Sequence, residues 1–389
     1  MKINELKNCT GCHACYSACP HGSITMYRNS EGFLYPAAID ISCVKCGLCE
    51  KICPVITPLR SIEKSRSAAF AAVNQNEKIR MESSSGGIFT AIAEKAIAAG
   101  AVVFGAKFAS DFSVIHDHTD NTKDLAEFRG SKYVQSTIGN SYKECKEMLD
   151  SGKTVLFSGT PCQIGGLKAF LGEDSRNLIA IDFICHGVPS PLLWGKYISS
   201  KTADNRKISK IKFRDKRSGW KNYSFSVDYS DGSIHTQIFR DNEYMRLFLK
   251  NVSLRASCFD CKFKGNSGYS DITLGDFWGI QHELPNLDDN LGTSFVIAHT
   301  DKGKEIITKL DNCIIKEIPI ESGRKYNPSL IKSVSRPASR DAFFADLCGK
   351  DFSVKKLAAK YTADSFPMQI KKMLNDVFKK LSKVLRKRK

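Results

Sequence analysis

A chain of 389 residues with 42% hydrophobic content is long enough for two or three globular units and too apolar for disorder to dominate. It has no apolar run of about 18 residues, and its start, MKINELKNC, lacks the charged segment and apolar stretch of a signal peptide, so a cytoplasmic protein is expected. Fifteen cysteines in such a chain point to metal-held thiolates in a reducing compartment rather than a disulfide scaffold, and the +17 formal charge is distributed in a way that speaks against nucleic-acid binding.

The first elements carry the strongest signal. CTGCHACYSACP, Cys9 to Pro20, and CVKCGLCEKICP, Cys43 to Pro54, each read C-x2-C-x2-C-x3-C-P, the bacterial ferredoxin spacing for a 4Fe-4S cluster. In that arrangement the fourth cysteine of each copy ligates the other cluster. Cys9, Cys12, Cys15 and Cys53 are therefore one ligand set, and Cys43, Cys46, Cys49 and Cys19 the other. Between them, SITMYRNSEGFLYPAAID reads as a strand, a turn centred on Glu-Gly and a second strand. A module of residues 1–60 cannot bury an adequate core, so cluster binding should largely hold it together. Zinc is the competing use of paired CxxC spacings, but two complete copies each ending in Cys-Pro disfavour it. His13 and His21 are read as neighbours of the ligands, since every ligand place is already filled.

A polar link at about residues 58–67 leads into a larger domain, residues 66–365. AAFAAVN reads as a strand, MESSSGGIFTAIAEKAIAAG as a Ser-capped loop with a helix through about Gly87 to Ala98, and AVVFGAKF as a second strand. The succession suggests a parallel unit with a right-handed crossover. Ser83, Ser84, Ser85, Gly86 and Gly87 could present hydroxyls and amides to a phosphate or pyrophosphate at the helix start, although Ser-rich caps without a ligand are common. His116 and His118 of IHDH could share one face of a strand, and a polar strand end is the simpler reading.

KTVLFSGTPCQIGGLKAFLG follows as strand, turn and helix, and NLIAIDFICHGVPSP as another continuous apolar strand. Both look buried on two faces, as in a parallel sheet covered by helices. Cys162 and Cys185 then lie just past the carboxyl ends of neighbouring strands, the side on which open α/β sheets bind ligands. Cys258 and Cys261 form a later CxxC pair in LRASCFDCKF. These four thiols suffice for a third 4Fe-4S cluster or a structural zinc, and spacing leaves both open, along with four unrelated thiols. Cys145, Cys313 and Cys348 are read as buried free thiols. KFRDKR at 212–217 is read as a solvated basic cluster, NYSFSVDYSDGSIHTQIF as a hairpin about Asp231-Gly232, and SDITLGDFWG as a strand whose end carries Asp276 and Trp278.

Residues 370–389 contribute +8 of the +17 charge. Over 366–389 an apolar stripe from Phe366 to Leu385 opposes a basic face, which describes an amphipathic helix. It could lie peripherally on an anionic membrane, dock on a partner or pack on its own domain.

SSGG at 84–87, RGSKYVQS at 129–136, GTPCQ at 159–163, CHG at 185–187, the R-x2-C-x2-C of Arg255 to Cys261 and SDITLGDFWG at 270–279 together resemble the coenzyme F420 hydrogenase/dehydrogenase beta-subunit family. With the N-terminal module, the resemblance covers about residues 1–330. It implies an α/β fold with α+β elements, a bacterial-type ferredoxin fold followed by a larger mixed-sheet flavin domain. It further implies an oxidoreductase with FAD that exchanges hydride with coenzyme F420, and it favours a third 4Fe-4S cluster at Cys162, Cys185, Cys258 and Cys261. Ser84, Ser85, Gly86, Gly87, Ser131, Lys132, Tyr133 and Gln135 become candidate FAD contacts, with Lys132 as the catalytic candidate. The expected partners are a redox protein or complex and coenzyme F420 or another small organic substrate. Two further readings use the same wiring: a ferredoxin-driven reductase of another organic substrate, linked to polysaccharide synthesis in similar bacterial proteins, and a non-catalytic electron-relay subunit.

Overall fold

The computed structural model describes residues 2–39, 41–59, 67–172, 175–202, 204, 206–265, 269–349 and 353–363. The tail expected at 366–389 lies outside the described residues, as does most of the link expected at 58–67. The two cysteine motifs fold into the same backbone. Gly11 and His13 flank Cys12 with φ of +70° and +64°, and Lys45 and Gly47 flank Cys46 with +55° and +74°. These left-handed positions turn each loop tightly enough to gather its thiols on one side. A short helix follows each loop, α1 (Ala14–Ala18) and α2 (Leu48–Lys51). Between them β1 (Ile24–Arg28) and β2 (Leu34–Ala38) pair antiparallel from Ile24↔Ala38 to Arg28↔Leu34, the hairpin expected from the sequence.

The larger part runs β3 (Ala68–Asn74), α3 (Glu77–Glu82), α4 (Ile88–Ala98), β4 (Val102–Phe108), β5 (Val114–Thr119), α5 (Leu125–Phe128) and α6 (Ser141–Asp150). It continues through β6 (Val155–Gly159), α7 (Pro161–Leu171), β7 (Leu178–Phe183), α8 (Pro191–Lys201), β8 (Ile208–Asp215), β9 (Ser224–Tyr229) and β10 (Ile234–Ile238). After α9 (Glu243–Leu249) come β11 (Ile272–Asp276), β12 (Ser294–Ala298) and β13 (Cys313–Ile318). An eight-stranded mixed sheet has the order β13-β3-β12-β11-β7-β6-β4-β5. Its centre is parallel: β11 pairs with β7, β7 with β6 and β6 with β4. Val155, Leu156 and Phe157 of β6 are fully buried because helices cover both faces, α4 on one and α6 with α7 on the other.

The strand-helix-strand unit from β3 through α4 to β4 differs from its simplest expectation. The two strands are parallel but not adjacent, because β12, β11, β7 and β6 lie between them. The C-terminal strands β12 and β13 add antiparallel on either side of β3, and the sheet is thereby mixed. The expected hairpin is β9 and β10, joined to β8 in a separate sheet of three strands. Phe225, Val227 and Tyr229 bury one face of it against α8, α9 and the helix Val354–Thr362.

The N-terminal module is docked on this body by its hairpin tip. A Cβ at Gly32, where φ is +86°, would come within 2.5 Å of Leu192 Cβ in α8. Beside it, Arg340 donates to both carboxylate oxygens of Glu31 at 2.8 and 2.6 Å and to the Leu254 carbonyl at 2.9 Å.

Candidate functional site

The four thiols of each N-terminal set surround one cavity. About 340 Å³ of empty space, open in part to solvent, is lined by Cys9, Cys12, Cys15 and Cys53 with Ile3, Leu6 and Val55. A second, of about 320 Å³, is lined by Cys19, Cys43, Cys46 and Cys49. The fourth cysteine of each copy thus joins the other copy's set, as the spacing implies. Backbone amides face the sulfurs: Gly11 donates to Cys9 Sγ at 3.3 Å and Ser23 to Cys19 Sγ at 3.3 Å. Burial pushes the Cys12 thiol up to about 12 and raises Cys15 as well. Each set gathers four thiols around one cavity, so the donors fit two clusters. The second cavity lies nearer the surface, with Cys46 exposed and Ile41 and Val44 projecting beside it.

A third group of thiols assembles inside the larger part. Parallel β6 and β7 end at Gly159 and Phe183. Cys162 lies in the first turn of α7, behind a Thr160–Gln163 capping box, and Thr160 Oγ1 is 3.1 Å from its sulfur. Cys185 follows β7 by two residues. Cys258 is in the 3-10 turn Ala256–Asp260, where its sulfur accepts from the Val188 amide at 3.4 Å, and Cys261 ends that turn. Cys261, Cys185 and Cys258 each raise the Cys162 thiol further, after burial. Burial likewise pushes Cys258 up to about 12, while Lys264, whose ammonium donates to the Cys185 carbonyl, partly offsets the rise at Cys185. Four thiols from distant segments therefore share one buried region. Tetrahedral zinc needs each sulfur about 2.3 Å from one point. Among the described residues no three Cys, His, Asp or Glu side chains form a single-ion site.

The first N-terminal site and this inner site adjoin. A Cβ at Gly166 of α7 would sit 2.8 Å from Cys12 Cβ and 2.9 Å from Cys12 Sγ, and Gly166 is one helical turn from Cys162. The other connection is Arg255, 1% exposed, three residues before Cys258. Its Nε donates to the Cys9 carbonyl at 2.7 Å, Nη1 to Gln135 Oε1 at 3.0 Å and Nη2 to the Leu34 carbonyl at 2.9 Å. Gln135 completes the joint by donating to the Thr10 carbonyl at 2.9 Å. Composition and periodicity do not reveal this joint. The only local cues are the paired glycines of QIGG and the arginine before the CxxC.

The Ser-Gly loop opens α4 as expected, with Gly87 as N-cap at φ +81°. Its hydroxyls largely hold the loop itself: Ser83 donates to Ile79 O, and Ser85 to Thr293 O. Ser84 Oγ lies 2.7 Å from Ser131 Oγ and accepts from the Ser131 amide, which brings 84–87 beside 131–133. Gly86 admits the backbone of β3, since a Cβ would be 2.4 Å from the Ala72 carbonyl. Lys132 is partly buried, held at 3.2 Å by the Arg129 carbonyl, and burial brings its ammonium down to about 7. Tyr133 stacks on Phe248 at 4.8 Å and accepts from Arg214 at 3.4 Å. Of the eight candidate contacts, Gln135 stands apart, at the ferredoxin joint.

The KFRDKR segment is solvated only in part, at Arg217 and Lys212. Arg214, Asp215 and Lys216 are 7%, 4% and 2% exposed. Arg214 pairs with both oxygens of Asp276, at 2.7 and 3.3 Å, and Lys216 donates to the carbonyls of Arg80, Ser85 and Leu291. Each cation is buried because a distant loop supplies its acceptor. Trp220 also donates to Asp276 and stacks on Trp278 at 4.8 Å, so Asp276 and Trp278 belong to this cluster. Among the described residues Arg214 Nε has no partner, an orphaned donor beside Tyr133, Tyr223 and Trp278. Two smaller expectations also change. Cys348 is exposed at the end of the helix Arg340–Cys348, its thiol directed to the Ser30 carbonyl, whereas Cys145 is fully buried. His116 is not a polar strand end but 6% exposed and stacked on Phe157 at 5.5 Å, while His118 lies near Asp117 and Glu144.

Paired four-thiol cavities joined to a mixed-sheet domain with a third buried thiol group fit an iron-sulfur protein. Residues 8–56 match the family described as 4Fe-4S dicluster domain, and residues 152–322 match the C terminus of the coenzyme F420 hydrogenase/dehydrogenase beta subunit. The chain combines that dicluster domain with the C-terminal domain of the coenzyme F420 hydrogenase/dehydrogenase beta-subunit family. No curated protein matches it. Among solved structures, a chain of the xenon-derivatised F420-reducing NiFe hydrogenase complex from Methanosarcina barkeri is similar at 18% identity and a TM-score of 0.45, over 78% of this chain and 91% of that one. No described helix is long and apolar enough to cross a membrane.

Proposed function

We propose that this chain is an iron-sulfur flavoprotein oxidoreductase coupling hydride transfer at FAD, from reduced coenzyme F420 or a similar donor, to single-electron transfer through three 4Fe-4S clusters. The observation that carries this reading is the inner group of Cys162, Cys185, Cys258 and Cys261, placed against Cys12 through Gly166 and against Cys9 through Arg255. When bound, a flavin exchanges electron pairs as hydride and the clusters carry electrons singly.

The chain's own residues set the rest. Ser84, Ser85, Gly86, Gly87, Ser131, Lys132 and Tyr133 would form the wall of the flavin crevice. Arg214 with its orphaned Nε fits a flavin carbonyl or phosphate acceptor there, and Trp278 and Tyr223 offer it aromatic faces. Lys132, with an ammonium brought down to about 7, can hold or release a proton near neutrality beside that crevice. The second N-terminal site, with exposed Cys46, faces a redox partner protein or complex.

The test is anaerobic purification with iron and flavin analysis. About twelve irons and one FAD per chain are expected, and about eight irons without flavin would reject the enzyme in favour of a ferredoxin relay. Bleaching of the bound flavin by reduced coenzyme F420 tests the donor, and a flavoprotein that fails to bleach would reject that donor.

A further inference from the structure

We propose that Arg255 is the buried counter-charge of the first N-terminal cluster, fixed between that cluster and the inner thiol site so that its guanidinium holds the cluster at a higher reduction potential. The inference deepens the proposed function and rests on its first cluster, not on the flavin. A buried charge is strongly disfavoured unless an opposite charge faces it. The joint between the modules contains two nearly inaccessible arginines, Arg340 at 2% and Arg255 at 1% exposure. Arg340 is answered by the Glu31 carboxylate. Arg255 is not. Its three side-chain bonds end on the carbonyls of Cys9 and Leu34 and on the amide of Gln135, all neutral, and among the described residues no carboxylate pairs with it.

Aromatic faces contribute, with Tyr35 at 4.2 Å and Phe33 at 5.4 Å from the guanidinium carbon, but a ring quadrupole does not neutralise a full charge. The metal-site residues it reaches are Cys9, through the carbonyl, and Cys258. Arg255 lies on the backbone of Cys9, and a Cβ at Gly11 would come within 3.0 Å of its Nη1. Its charge also reaches Cys258, whose amide donates to the Arg255 carbonyl at 3.0 Å. A fixed positive charge beside a cluster favours the state with one more electron, because net charge and hydrogen bonding set cluster potentials. The bonds from the Cys9 carbonyl through Arg255 to the Cys258 amide also give the two sites a continuous connection.

The experiment is potentiometric titration, followed by EPR, of the full iron-loaded chain as wild type, Arg255→Met, Arg255→Lys and Gln135→Glu. Met removes the charge, Lys keeps it, and Glu leaves Arg255 in place but sets a carboxylate against Nη1. In both Arg255→Met and Gln135→Glu, one of the two N-terminal reduction steps should move to lower potential while the other stays, and Arg255→Lys should move less. If Arg255→Met does not fold, Gln135→Glu decides alone. Iron-replete Arg255→Met or Gln135→Glu with both steps at wild-type potential overturns the proposal. A wild type with about eight irons instead of twelve would reject the inner cluster of the proposed function, yet leave this shift measurable.

Discussion

Gly166 offers the most direct test of how the ferredoxin module meets the larger domain. A methyl group at this position would lie 2.8 Å from Cys12 Cβ, 2.9 Å from Cys12 Sγ and 3.1 Å from the Tyr142 hydroxyl. Optimal carbon contacts are about 3.5–4.0 Å, so three atoms must retreat at once. Overpacking of this kind costs about 1–3 kcal/mol, against which alanine recovers about 0.5–1 kcal/mol of helix propensity over glycine. The net expectation for Gly166→Ala is a loss of about 1–2 kcal/mol. Tyr142 is fully buried, so the strain should fall on the Cys12 loop, and Cys12 lines the first cavity as a proposed cluster ligand.

Gly165→Ala is the internal control. There the added carbon would meet Phe263 Cε1 at 2.6 Å, a ring 2% exposed that ligates nothing. Both variants should melt a few degrees below wild type, at about 1–2 °C per kcal/mol for a chain of this length. Only Gly166→Ala should also change the EPR signal of one N-terminal cluster; Phe263 follows Cys261 by two residues, so Gly165→Ala disturbs the inner set alone. The assay is anaerobic purification, iron analysis, EPR of the dithionite-reduced protein and a melting curve. A Gly166→Ala protein with full iron, an unchanged signal and a wild-type melting point would refute the contact between α7 and the first cluster site.

Cys162→Ala should lower iron by about four per chain and leave the N-terminal signals intact, whereas loss of all iron would show that the inner thiols serve folding alone. Glu31→Gln leaves Arg340 with the exposed Asp341 carboxylate at 3.6 Å; because that pair remains and Glu31 keeps 20% of its side chain exposed, the cost should not exceed the low end for breaking a buried pair, about 3 kcal/mol, read as a lower melting point and faster proteolysis between the modules. Asp182 is fully buried, one carboxylate oxygen has no partner among the described residues, and burial pushes its carboxyl up to about 7 from an ordinary 3.8. Between pH 4 and 7 the folded chain therefore keeps a proton that the unfolded chain has released, and stability falls as pH rises through that window. Asp182→Asn should remove the slope, gaining on the order of 4 kcal/mol over wild type at pH 8 relative to pH 4, and parallel melting curves of the two proteins across that range would contradict the assignment.

What could be read in advance follows from how local each feature is. The grouping of the thiols of the two cysteine copies was legible because the C-x2-C-x2-C-x3-C-P spacing alone specifies a loop, and the cavities are lined by Cys53 with Cys9 and by Cys19 with Cys43. Cys162 and Cys185 could be set side by side because continuous apolar runs mark buried parallel strands, and β6 and β7 are indeed neighbours. Burial of Arg214 and Lys216 could not be read from KFRDKR. It depends on Asp276, 62 residues away, and on the carbonyls of Arg80 in α3 and of Ser85 and Leu291 in two loops. Gln135 resembled its neighbours in RGSKYVQS, yet its partners are Thr10 and Arg255, 125 and 120 residues distant.

The same distinction separates the module from its docking. Each cluster loop is a local structure that a metal can close, but a segment of about 60 residues buries too little surface to fix its own orientation. That orientation is supplied by Gly32 on α8, Gly166 under Cys12, and the two arginines of the joint, Arg340 and Arg255, all contacts between distant segments. Two of these, Gly166 and Arg255, also touch residues that ligate or adjoin the first cluster. The contacts that stabilise the docked module therefore also set the separation of the first and inner sites. Loosening them should slow internal electron transfer before it unfolds the chain, which stopped-flow reduction of Gly166→Ala below its melting point can show.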